Sequence, residues 1–243
     1  MKKSIIVGIF IILPLWSYGR TLTIGIPQFD PPYVMQLDSG HYDGFNIAMM
    51  DYICQKIKAT CNYAVFHRNE IIDAVADGKV DMATTDMAIT EEWPAKISFS
   101  VPYLVQVTQI ITLKKSGKFT VEDLNNKIIG ISDEILYSHI DKLRIQNPDV
   151  RMYFQDDDLV EALYSGDIHF ALIDKDSAGY WVSNSKNKLK YYGTPTVLES
   201  SLGIAINSND PGLKKEINAA IYNYLDSQDF IEDYNKYLLY FGS

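Results

Sequence analysis

Two stretches decide the reading of this chain: Ile71–Asp86, IIDAVADGKVDMATTD, and Leu159–Asp174, LVEALYSGDIHFALID. Each opens with apolar residues at helical spacing, breaks at a glycine (Gly78, Gly166), continues through a short apolar run and closes on an aspartate. A glycine directly after a helical pattern supplies the left-handed residue at which helices stop. A short apolar run bounded in this way suits a strand buried on both faces. Helix followed by strand, met twice, predicts α/β units with mainly parallel sheets and flanking helices. Two such units separated by about 90 residues predict two lobes.

The surrounding segments extend the alternation. Thr21–Ile26, TLTIGI, alternates as a strand does, and Pro27, Pro31 and Pro32 then impose a loop. Phe45, Ala48, Met49, Tyr52, Ile53 and Ile57 mark one face of a helix, followed by a short strand at Tyr63–Phe66. Thr120–Asp123 has the form of a capping box, ahead of the strand Ile128–Ile131. Near the end, Asp210 and Pro211 read as N-cap and first helical residue, with Leu213, Ile217, Ala220, Ile221, Tyr224 and Leu225 along one face. A second amphipathic piece covers Phe230–Tyr240. No Pro/Gly-rich linker separates the two units, so crossing strands are expected to form the hinge.

The N-terminus carries a different message. Lys2 and Lys3 precede the apolar run Ile5–Trp16 and the small-x-small tripeptide Ser17–Gly19. This is the signal-peptide pattern, with residues 1–19 expected to be removed and the protein delivered to the periplasm. A bilayer span needs roughly 20 apolar residues, more than this run offers. The chain has a formal charge of −9, and residues 1–19 hold two lysines and no acid, which leaves −11 without them. Such a surface repels nucleic acid and anionic lipid.

The two cysteines, Cys54 and Cys61, read first as a disulfide in a secreted chain, with two free buried thiols as the alternative. Seven residues of unbroken helix would hold their Cα atoms about 10 Å apart, and a disulfide tolerates less than about 7 Å. A bond therefore requires the helix to end before Cys61. His41, His67, His139 and His169 share no metal-ligand spacing, and neither a phosphate loop nor a Ser-His-Asp order is present. No metal or cofactor is expected.

The segments GFNIAMMDYICQKI, GKVDMATTDMAITEEWPAKISFSVPY, DLNNKIIGIS, GDIHFALID and LGIAINSNDPGLKKEINAAI occur here in one order. In that order and spacing, across nearly the whole chain beyond residue 19, the sequence resembles the extracellular solute-binding proteins, family 3, that serve polar amino-acid transporters. The Cys54–Cys61 spacing resembles the lysine/arginine/ornithine/histidine-binding branch, in which the cysteines are joined. The resemblance implies a two-lobed type II periplasmic-binding-protein fold with two hinge strands. Lobe one would hold residues 20–105 and 200–243, and lobe two residues 106–199. It further implies a monomer that captures a small polar amine-bearing solute between the lobes and presents it to a membrane ABC permease.

Carried over residue by residue, the resemblance implies that Asp174 accepts the ligand's α-ammonium, with helix capping as the alternative role. Thr85 falls where the family holds the ligand's carboxylate, and Asp86 stands where the family has an uncharged residue. Trp93 occupies the position of the arginine that clamps the carboxylate, so that clamp is missing. Arg68, at a position where the basic-amino-acid branch stacks an aromatic, is the candidate substitute cation, with Glu70 or Asp86 to neutralise it. Asp30, Asp86, Glu134 and Asp174 are expected to turn one cleft acidic, and Phe29, Tyr33 and Trp93 to offer aromatic walls for a cation. A secreted dehydratase of the prephenate or arogenate type, or a periplasmic sensor module, stands as the alternative function.

Overall fold

The computed structural model of the protein describes residues 19–38, 40–84, 88–89, 95–114 and 120–239. The chain begins with β1 (Thr21–Pro27), the hairpin β2 (Met35–Asp38) and β3 (His41–Asp43), then α1 (Phe45–Lys56) and β4 (Thr60–Phe66). It continues through α2 (Ile71–Ala76), β5 (Met82–Ala83), β6 (Ile97–Phe99) and the long β7 (Leu104–Leu113). The middle section comprises β8 (Ile128–Ile131), α3 (Ile135–Lys142), β9 (Asp149–Met152), α4 (Asp156–Ser165), β10 (Phe170–Asp174) and α5 (Lys175–Asn184). The chain returns along β11 (Leu189–Leu202) to β12 (Ala205–Asn207), α6 (Pro211–Leu225) and α7 (Gln228–Asp233).

These strands form two separate five-stranded sheets, ordered β4-β1-β5-β12-β6 and β11-β7-β10-β8-β9. Each is mixed in the same way. In the first, β4, β1 and β5 run parallel and β12 lies antiparallel to β5. In the second, β9, β8 and β10 run parallel and β7 lies antiparallel to β10. The helix–glycine–strand stretches are α2–β5 and α4–β10, one in each sheet, so the repeat read in the sequence is the repeat of the lobes.

Each lobe has its own core. In lobe one, Phe45, Met49 and Ile53 of α1 meet Ile217, Ile221 and Tyr224 of α6, and a second cluster packs Ile71 and Val75 of α2 against Val80 and Ala83. In lobe two, Leu159 and Leu163 of α4 pack on Ile111 and Ile173, while Leu136 and Ile140 of α3 pack on Ile129 and Ile131. Gly130 admits the close approach of α4, because a Cβ there would run into Leu159 and Ile168.

The strands β7 and β11 join the lobes. They pair antiparallel from Leu189↔Leu113 to Leu202↔Leu104, with register shifts after Tyr192 and Val197. At the lobe-one end, Ile89 N–H donates to Ser201 O at 2.8 Å and Tyr103 N–H to Leu202 O at 3.0 Å. Bulges interrupt the ladder and bend a strand locally, which suits a hinge.

Candidate functional site

The carboxyl ends of the parallel strands of lobe one lie level with one another, since Pro27 of β1 pairs with Phe66 of β4. Just beyond these ends sit Asp30 and Arg68. Asp30 heads a tight turn in which its carbonyl accepts from Tyr33 N–H and Val34 N–H at 2.9 Å each, while its own N–H donates to Val34 O at 2.8 Å. The first amides of α1 pin this turn from behind: Phe45 N–H donates to Pro32 O at 3.1 Å and Asn46 N–H to Tyr33 O at 3.0 Å. Gly44, at φ 126°, makes that approach possible, because a Cβ there would overlap the Tyr33 carbonyl.

Arg68 opens the short 3₁₀ turn Arg68–Glu70 and is buried. Its Nη1 lies 3.5 Å from Asp30 Oδ1, and the two side chains are only 6% and 3% exposed. The cation therefore faces an acid within its own lobe. Asp30 is a neutralising partner the sequence reading did not name; of the two acids it did name, Glu70 is exposed and Asp86 lies outside the described residues. The sequence shows the two charges 38 positions apart, with nothing to mark them as partners; the parallel pairing of β1 with β4 brings them together.

Across the gap, β10 ends at Asp174. Its Oδ1 accepts from the Asp176 N–H at 2.8 Å and the Ser177 N–H at 3.4 Å, so it is the N-cap of α5. The same Oδ1 accepts from the Tyr33 hydroxyl of lobe one at 2.8 Å. Capping and facing the cleft are thus combined in one carboxylate. Tyr33 Oη also lies 3.3 Å from Asp176 Oδ2. Burial raises the Asp176 carboxyl above its ordinary value, against the lowering effects of Lys175, whose Nζ is 3.4 Å away, and Tyr33. Asp176 escaped the reading of the sequence, although its place two residues past a strand-end aspartate was a usable signal.

Of the three aromatics expected to wall the cleft, Phe29 and Tyr33 are among the described residues. Phe29 meets Tyr180 and Trp181 of α5 edge-on, with ring centroids 6.3 and 6.1 Å apart. Tyr33 is 1% exposed, and its polar end, rather than its face, is what it turns to lobe two. Neither ring makes a cation–π contact among the described residues. Three polar atoms, Thr84 Oγ1 beyond β5, Ser177 Oγ near the start of α5 and Trp181 Nε1 farther along it, are buried and hydrogen-bond to nothing among the described residues. A buried orphan of this kind costs about 1–3 kcal/mol unless a partner arrives, so each is a candidate contact for a guest.

Of the expected site, Asp30, Tyr33, Arg68 and Asp174 are brought to one region. Glu134 is exposed at the N-terminus of α3 and joins none of the bonds that link this group. Thr85, Asp86 and Trp93 lie outside the described residues. Cys54 and Cys61 are joined in a disulfide with Cα atoms 6.2 Å apart. As the geometric limit required, α1 ends at Lys56, before Cys61 enters β4.

Two mixed α/β lobes, two connecting strands and polar groups converging at the carboxyl ends of facing strands define a two-lobed binding protein of the periplasmic type. The chain belongs to the bacterial extracellular solute-binding proteins, family 3, whose model matches residues 22–240. Among its relatives, it is 24% identical over 204 residues to the L-cystine-binding protein TcyJ of Escherichia coli K12, covering 83% of this chain and 76% of that one. It is 23% identical to the ABC transporter arginine-binding protein 1 of the same organism, over 91% and 92% of the two chains. A solved structure, an arginine 3rd transport system periplasmic binding protein from Legionella pneumophila, superposes with a TM-score of 0.83 at 26% identity, over 90% of this chain and all of that one.

Proposed function

We propose that the protein is the solute-capturing component of an ABC-type uptake system and that its guest is an amino acid or a related amine, held between the lobes by its ammonium on Asp174. One observation carries this reading: the buried carboxylate at the end of β10 is fixed by two helix amides and reached by lobe one. A carboxylate so held is a strong, oriented acceptor for a cation. The relatives named for cystine and arginine, and the one named as part of an ABC transporter, support the ligand class and the transport role. Because Asp30 compensates Arg68, that arginine need not repel a cationic guest.

The same reading includes cleavage after residue 19 and release into the periplasm as a monomer. It divides the lobes at 20–105 with 200–243, and at 106–199, in keeping with the two sheets. It gives Thr85, Asp86 and Trp93 places at the guest, and it involves neither a cofactor nor a catalytic step.

A thermal-shift screen of the mature protein against L-arginine, L-histidine, L-cystine, L-ornithine and putrescine tests it. A guest at a hundred times its dissociation constant adds about 2.7 kcal/mol, which for a chain of this length raises Tm by roughly 5–10 °C. Asp174→Ala abolishes the shift. No shift from any of these solutes, together with turnover of prephenate or arogenate, would transfer the protein to the dehydratase reading.

A further inference from the structure

We infer that Tyr33 is a closure latch: its hydroxyl, carried by lobe one, bonds to Asp174 of lobe two, holding the lobes shut and fixing the carboxylate before any guest arrives. The residues stand 141 positions apart and belong to different lobes, and the bond between them is 2.8 Å long and buried. A phenol has one proton to give. Of the two carboxylates it approaches among the described residues, Asp176 at 3.3 Å is the farther, so Asp174 is the principal acceptor.

Both ends of the bond are immobilised independently. The turn bearing Tyr33 is pinned by the first two amides of α1, and Asp174 Oδ1 is pinned by the amides of the second and third residues of α5, which it caps. The Tyr33 backbone and the Asp174 carboxylate are thus each tied to their own lobe. Opening the lobes therefore breaks the bond outright, and a phenolic donor meets a carboxylate in poor solvent contact, where charge-assisted bonds are strong. Phe29, four residues ahead on the same loop, adds its edge contacts with Tyr180 and Trp181 of α5 to the same seam. A bond that exists only in the shut form shifts the open–shut balance by its full strength. For a hydrogen bond to a charged acceptor this is roughly tenfold to a hundredfold.

The inference concerns the ligand-free protein and is tested without ligand. Spin labels at Lys215→Cys on α6 and Glu161→Cys on α4, both exposed positions, report the distance between lobes by pulsed electron resonance. The native cysteines are joined and take no label. With Tyr33 present, the distribution contains a population at the shorter distance. Tyr33→Phe keeps the ring and loses the proton, and is expected to lower the short-to-long ratio about tenfold or more. Asp176→Asn leaves the ratio nearly as it was. The latch is overturned if Tyr33→Phe gives the same distribution as the parent, and its assignment to Asp174 is overturned if Asp176→Asn opens the protein equally. Should Tyr33→Phe fail to fold, Asp174→Asn, which keeps a capping oxygen but removes the charge, is expected to open the protein, and an unchanged distribution then counts against the latch. A protein that answers to no amine leaves these results intact and bears only on the proposed function.

Discussion

Asp30 and Arg68 place two full charges almost wholly out of water, at the rim of the sheet where a guest would rest. Burying ions is costly, and mutual attraction offsets that cost only while both partners remain. Removing the arginine alone takes a cation from beside a buried carboxylate. Arg68→Leu is therefore expected to destabilise the protein by about 3 kcal/mol or more, measured by urea unfolding. The double replacement Arg68→Leu with Asp30→Asn should recover a good part of that loss. If the double variant is no more stable than the single one, the two residues are not energetically coupled. Asp174 was legible at this scale because a strand-end aspartate recurs after the helix–glycine–strand stretch. The Asp30–Arg68 pair was not, because the residues share no local pattern and meet only through strand pairing.

At the scale of elements, the segment from α1 to β4 shows how little chain is needed to reverse direction. The helix stops at Lys56; Lys58, at φ 55°, makes the left-handed turn; and the strand begins at Thr60. Ala59 N–H donates to Cys54 O at 2.9 Å, tying the turn back to the last helical coil. The disulfide closes this reversal across a sequence separation of 7. A loop of that size restricts the unfolded chain by about 2.5 kcal/mol in the chain-entropy account. Replacing both cysteines by alanine should lower the unfolding free energy by about that amount, and reduction of the native bond should do the same. An unchanged denaturation midpoint under reducing conditions would refute this. Helix α6 was legible in the same local manner, since Asp210 caps it by accepting from Leu213 N–H at 2.8 Å and Pro211 starts it.

The whole molecule is organised by a chain that leaves lobe one, builds lobe two and comes back. Leu213, Ile217, Ile221 and Tyr224 of α6, with Tyr237 and Leu238 beyond α7, are buried in the same core as β1 and α1. Lobe one is therefore incomplete until the end of the chain has been made. A chain ending at Asn209 loses these side chains from the core and exposes the face of α1 they cover. It is expected to melt without a cooperative transition and to bind a hydrophobic dye, as followed by circular dichroism and fluorescence. A sharp melt at the parental temperature would show that the lobe does not depend on its returning segment.

The sequence by itself determined what periodicity and short-range chemistry control: the alternation of helices and strands, the glycine stops, the cap of α6, the separation of the cysteines and the doubling of the unit that makes two lobes. These are properties of neighbours a few residues apart, where backbone geometry leaves a small number of choices. Only the tertiary structure decided that each sheet is half antiparallel, that Asp30 meets Arg68, that Glu134 is exposed and that Tyr33 meets Asp174. Each of those depends on which distant segments become adjacent when the apolar faces are buried, and burial selects for volume and shape rather than for any residue's neighbours in the chain.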